Sequence, residues 1–151
     1  MSKRFTDTDK WKDPWFRKLP FNYQRFWIYL LDSCDQSGVW QVDFELVEFF
    51  LRESFDMKET TQIFHERIHI FDDGKKWFIP KFISFQYGVL NDLCRPHAFV
   101  LKLLDKYKLK GYLKGISTLK DKDKDIDKDK DKDKKGVPPP KAWKTRKGVA
   151  V

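Results

Sequence analysis

The stretch "IHIFDDGKKWFI", residues 68–79, sets two short apolar runs on either side of an Asp-Gly pair. Ile68–Phe71 and Lys76–Ile79 are rich in β-branched and aromatic side chains. Asp73-Gly74 supplies two residues that tolerate a positive φ, so the stretch predicts a β-hairpin. Upstream, "VWQV" (Val39–Val42) has the same character and predicts one more strand. Between the two the periodicity turns helical. Asp43 is expected to cap a helix through "FELVEFFL", with Leu46, Val47 and Phe50 facing inward. After a break at Ser54–Asp56, "MKETTQIFHERI" predicts a helix over Met57–Arg67, with Thr60, Ile63, Phe64 and Arg67 distributed around it.

Further toward the N-terminus, "DPWFRKL" offers Asp13 as N-cap and Pro14 at the first helical position, and that helix ends near Pro20. "FNYQRFWIYLLDSCDQSG" places Phe26, Trp27, Leu30, Leu31 and Cys34 on one helical face, with Asn22 as the expected cap. Beyond the hairpin, "PKFISFQYG" fits strand or helix, and Pro80 favours a helix start. "RPHAFVLKLLDKY" predicts a helix with Phe99, Val100, Leu103, Leu104 and Tyr107 on one face. The order helix, strand, helix, helix, strand, tight turn, strand is that of a helix-turn-helix followed by a β-hairpin wing. The expected fold is therefore mainly α with a small β-hairpin (α+β). It is a winged helix-turn-helix with extra N- and C-terminal helices, over residues 1–118, followed by a disordered tail.

Residues 119–135, "LKDKDKDIDKDKDKDKK", alternate lysine and aspartate with Ile126 as the one apolar residue inside the repeat. Nothing there drives collapse onto a core, and the excess of lysine is one, so composition predicts a disordered spacer and not a basic arm. Residues 136–151, "GVPPPKAWKTRKGVAV", form a basic Pro/Trp-containing tail, also expected to be disordered. Its Trp143 and four cations suit docking on nucleic acid or on a partner as well as plain solvation.

The net charge of +8 is unevenly spread. Residues 1–18 carry net +3, residues 19–89 net −4, residues 90–118 net +4, and the tail net +4. An acidic centre thus lies between basic flanks. No run of apolar residues is long enough for a membrane span, and the N-terminus lacks the apolar region of a signal peptide. Cys34 and Cys94 have no metal or disulfide spacing. The setting expected is intracellular and reducing, with no membrane partner.

The segments "KRFTDTDKWKDPWFRKLP", "WIYLLDSCDQSGVWQVD" and "KKWFIPKFISFQYG", followed by the Lys/Asp repeat, resemble the N-terminal half of phage and prophage replication-initiator proteins of the replisome-organiser type. The resemblance covers roughly residues 3–118, and the linker composition extends it to about residue 135. It implies a winged helix that binds origin DNA or self-associates, in the cytoplasm of a bacterial host. It also implies a further C-terminal part that contacts host replication proteins. This chain continues for sixteen residues past the repeat.

If the domain binds DNA as such folds do, the third helix and wing supply Lys58, Thr61, Gln62, Arg67, Lys75 and Lys76. Thr61 and Gln62 suit base edges, and Lys58 and Arg67 suit phosphate. Glu59 and Glu66 oppose this, as do Glu45, Glu48 and Glu53 on the preceding helix. Stronger phosphate candidates lie in the flanks: Lys3, Arg4, Lys10, Lys12, Arg17 and Lys18 before the motif, and Lys102, Lys106, Lys108 and Lys110 after it. The expected function is non-enzymatic double-stranded DNA binding in replication initiation, with basic flanks on the backbone and limited base reading. The alternative uses the winged helix as a protein-protein or dimerisation module. Phe85, Tyr87 and Tyr112 offer stacking platforms for single-stranded DNA, although Phe85 is expected to be buried. His65 and His69, four apart, fall on different elements and predict no metal site. Cys34 reads as a small buried residue. No phosphate loop, nucleophile motif or paired-carboxylate motif occurs, so neither catalysis nor a cofactor is expected.

Overall fold

The computed structural model describes residues 2–115, so the Lys/Asp spacer and the basic tail lie outside the described residues. After a 3₁₀ turn at Thr8–Lys12 come α1 (Pro14–Lys18), α2 (Phe21–Ser33), β1 (Val39–Gln41), α3 (Phe44–Leu51) and α4 (Met57–Phe64). The hairpin strands β2 (His69–Phe71) and β3 (Lys76–Phe78) follow, then α5 (Pro80–Tyr87), α6 (Arg95–Lys106) and a 3₁₀ segment at Lys110–Gly115. The described residues are thus mainly helical with one small antiparallel sheet.

Short polar side chains start the helices. Asp13 Oδ1 accepts from the Trp15 N–H at 3.0 Å, Asp43 Oδ1 from Leu46 at 2.9 Å, and Asp56 Oδ1 from Glu59 at 2.8 Å. Helix α2 begins one residue before the expected cap. Pro20 takes the cap position with no side-chain bond, and Asn22 lies inside the first turn. Helix α4 stops at Phe64, whose carbonyl accepts from both Arg67 and Ile68, so residues 65–67 form a turn instead of extending the helix. The segment open between strand and helix, Pro80–Tyr87, is helical.

The sheet order is β1-β3-β2, both pairings antiparallel, with β3 in the middle. Val39 and His69 both face Phe78, and Gln41 and Phe71 both face Lys76. The hairpin closes where Lys75 N–H donates to the Asp72 carbonyl at 3.0 Å, with Asp73 at φ 52° and Gly74 at φ 82°. Those two positive angles are the ones a type I′ turn requires.

Alternation along the strands feeds two apolar clusters. Trp40 and Trp77 join Phe16, Tyr23, Phe26, Trp27, Leu30, Val47, Phe55 and Phe64 on one side. Val39 and Phe78 join Ile83, Leu90, Val100, Leu104 and Leu109 on the other. Phe26 centres the first cluster, stacked on Phe55 at 4.9 Å and on Phe64 at 5.5 Å between ring centroids. Full burial of each such ring stabilises by about 1.5–3 kcal/mol.

Inward expectations fail at four residues, spread over three helices. In α3 only Val47 is buried, while Leu46 and Phe50 are exposed. Six of its eight residues are apolar, more than a single core-facing stripe can cover. In α6 the buried pair is Val100 and Leu104, and Phe99 turns to solvent more than a quarter of a turn away from that stripe. In α5 the buried pair is Phe82 and Ile83, and Phe85 is exposed.

Candidate nucleic-acid interface

Helix α4 presents Lys58, Glu59 and Gln62 to solvent, with Glu66 just beyond its end. Thr61 is half-buried, and its hydroxyl donates to the Lys58 carbonyl at 2.9 Å. Arg67 is held elsewhere: its guanidinium bonds Asp13 at 3.1 Å and lies over the Trp15 ring at 4.7 Å. It ties the end of α4 to the start of α1. Residues 43–59 carry six acidic and two basic side chains, a field that opposes a phosphate backbone.

The sheet end is different, and Tyr107 organises it. Its ring packs edge-on against Phe71 of the hairpin, 6.0 Å between centroids. The ammonium groups of Lys76 and Lys106 stand 5.9 and 5.8 Å from the ring centroid. Its hydroxyl donates to Asp35 Oδ2 at 3.0 Å. Burial, followed by the Asp35 carboxylate, pushes this phenol up to about 12, so it stays a neutral donor. Asp35 Oδ1 meanwhile accepts from Ser37 N at 2.8 Å, Ser37 Oγ at 2.6 Å and Val39 N at 3.0 Å, fixing the α2–β1 turn. Further along, Tyr112 lies 4.8 Å from His69 and 5.4 Å from Phe78.

These contacts bring the hairpin and the C-terminal lysines onto one part of the surface. Lys75, Lys106 and Lys108 are exposed there, and Lys102 precedes Lys106 by one helical turn. Lys76 pairs with Asp72 across the turn and holds that carboxyl below its ordinary value. Lys110 bonds Asp105 at 2.8 Å on the exposed surface, a contact of little energetic weight.

The N-terminal cluster does not join this surface. Arg4 donates to the Leu31 carbonyl at 2.6 Å and to the Cys34 carbonyl, and lies over the Phe82 ring at 5.2 Å. Its charge therefore serves the C-terminal carbonyls of α2. Phe5 and the Gln86 side chain exchange bonds of 2.9 and 2.7 Å. Lys10 donates to the Asp7 carbonyl and Lys12 to Asp9, while Lys3, Arg17 and Lys18 stay exposed. A cavity of about 390 Å³ opens between this segment, α2 and α5, walled by Trp15, Trp27, Ile28, Phe82 and Phe85. Of its charged lining groups, Arg4, Asp13 and Arg67 are bonded within the protein.

Burial pushes the Cys34 thiol up to about 11, which suits an inert packed residue. His65 Nδ1 lies 2.7 Å from the Gln62 carbonyl, His97 Nδ1 accepts from Asn91 N–H at 3.0 Å, and His69 sits on β2. Among the described residues no group of three His, Cys, Asp or Glu stands close enough to hold a metal ion. No described helix is long and apolar enough to cross a membrane.

Sequence reasoning missed Asp35 and Tyr107 as organisers. Their bond spans most of the domain and leaves no local signal. It also missed the exposed α3 face, for which the surplus of apolar residues was a usable sign. No protein-family model, curated protein or solved structure matches this chain.

Proposed function

We propose that this domain is a winged helix and that the protein is a non-enzymatic DNA-binding factor in the initiation or organisation of phage-type replication. In this reading it works in a bacterial cytoplasm and binds double-stranded DNA. The wing and the end of α6 hold the backbone, and α4 reads bases only to a limited extent, through Thr61 and Gln62. The observation that carries the reading is the shared seat of Lys76 and Lys106 on Tyr107, with Lys75, Lys102 and Lys108 exposed around it. Fixed cations at one edge of a domain recruit phosphate, while the acidic α3–α4 region turns the duplex away from itself. The sequence resemblance supports the replication context. Tyr112 beside His69 adds a stacking surface for single strands.

The test is a fluorescence-anisotropy titration of the full chain with duplex and single-stranded DNA across a salt series. Replacing Lys75, Lys106 and Lys108 by Gln is expected to weaken binding roughly tenfold or more and to lower the salt slope by about one per lysine. Replacing Lys3, Arg17 and Lys18 is expected to do much less. Absence of binding at low salt by a folded protein would overturn the reading. The protein-contact or dimerisation reading would then take its place, favoured by the exposure of Leu46, Phe49 and Phe50 on α3.

A further inference from the structure

Helix α3 leaves Leu46, Phe49 and Phe50 exposed at 44, 59 and 58%. The surface continues onto α2. Tyr29 lies 6.2 Å from Phe50, and Arg25 donates to the Leu51 carbonyl at 2.6 Å. Phe21, one helical turn before Arg25 and under its guanidinium, is 74% exposed. Arg52 adopts φ 58° at the end of α3, a position that favours glycine, and its side chain lies over Phe49 at 5.1 Å. At 150–250 Å² per ring, the three phenylalanines alone leave on the order of 400 Å² of aromatic surface in water. Exposed aromatic surface on this scale is characteristic of contact sites.

Charge decides between occupants. The stretch from Asp43 to Glu59 that carries this patch has net charge −4. A second copy packed face to face would bring the same excess of acid against itself, a penalty for association. The fitting partner is apolar and basic. This chain contains such a segment in "PPPKAWKTRK", residues 138–147, with four cations, no acid and one tryptophan. Tryptophan and arginine are the residues that most often anchor contacts of this kind. Twenty-five residues separate Gly115 from Lys141. At up to ~3.6 Å per residue they span as much as ~90 Å, well beyond the ~35 Å width of such a domain. Tethering also supplies an effective concentration on the order of millimolar, enough for a weak contact to form.

We propose that the exposed aromatic face of α3 is the docking surface for residues 138–147 of the same chain. Trp143 covers Phe49 and Phe50, and Lys141, Lys144, Arg146 and Lys147 face Glu45, Glu53 and Glu59. The inference does not depend on the DNA reading, and its test contains no DNA.

The experiment is zero-length carbodiimide crosslinking of the full chain, mixed as isotopically light and heavy copies and mapped by mass spectrometry. The expected products join Lys141, Lys144 or Lys147 to Glu45, Glu53 or Glu59 within single-isotope pairs. Their yield should fall at least fivefold in a Phe49→Ser/Phe50→Ser variant, and likewise in Trp143→Ala. Both phenylalanines are mostly exposed, so the first variant is expected to keep its fold, checked by its thermal transition. Tail crosslinks spread equally over Asp73, Asp105 and the α3 carboxylates would overturn the proposal. Mixed-isotope pairs would overturn it in favour of contacts between copies. Yields indifferent to both variants would do the same.

Discussion

At the residue scale the α2–β1 turn concentrates the constraints. Gly38 adopts φ 80°, and a Cβ there would stand 2.9 Å from the Phe82 Cβ. Gly38→Ala therefore combines backbone strain with overpacking and is expected to cost about 2–5 kcal/mol. Urea denaturation measures it, and a loss below about 1 kcal/mol would show that the turn yields more easily than this geometry implies. Three residues earlier, the Asp35 carboxylate accepts from the Tyr107 hydroxyl and from Ser37 N, Ser37 Oγ and Val39 N. Asp35→Ala removes the acceptor of all four and is expected to loosen the lysine surface as well as the turn. The capping aspartates Asp13 and Asp43 were legible in the sequence because each acts on a backbone two or three residues away. Arg4 was not. Its partners Leu31 and Cys34 are distant along the chain, so a residue that reads as a phosphate contact proves to serve a helix end.

At the element scale α3 and α4 differ in what they bury. Phe64 of α4 touches Trp15, Tyr23, Phe26 and Trp27, all within 6.2 Å between ring centroids. Phe64→Ala is expected to cost about 3–5 kcal/mol. Phe49→Ser in α3 is expected to cost less than about 1 kcal/mol, since its ring belongs to neither buried cluster and a tethered tail docked on it is a weak contact. Equal losses in the two variants would mean that Phe49 is held as firmly as the core. The hairpin was the most legible element, because Asp73-Gly74 names its turn. The partner of Val39–Gln41 was not legible. Its pairing with β3 follows from α3 and α4 folding back, and the strand itself carries no mark of that neighbour. In α3 the pattern was readable but overfull, and periodicity cannot say which half of a mostly apolar helix goes inward.

At the scale of the whole molecule, buried phenols and a buried thiol set the response to alkali. Burial raises Cys34 to about 11 and Tyr107 to about 12, and also raises Tyr23 and Tyr87. Each folded-state value lies above the unfolded one, so the unfolded chain releases protons first. The stabilisation is complete below about pH 8.5 and is lost as pH rises through 11 and 12. Urea midpoints should fall between pH 8 and pH 11, and Cys34→Ala should flatten the earlier part of that fall. A midpoint constant over this range would remove the linkage. The charge map was legible at this scale as segments, but the meeting of wing and C-terminal lysines was not, because it depends on Tyr107. The sheet also governs where the chain tolerates shortening. A piece ending at Gly88 would keep every strand and both residues of the turn, yet Val39, Phe78 and Ile83 would lose the covering of Leu90, Val100, Leu104 and Leu109. The smallest portion that can be purified as a well-behaved unit therefore extends at least to Leu109, well past the last strand.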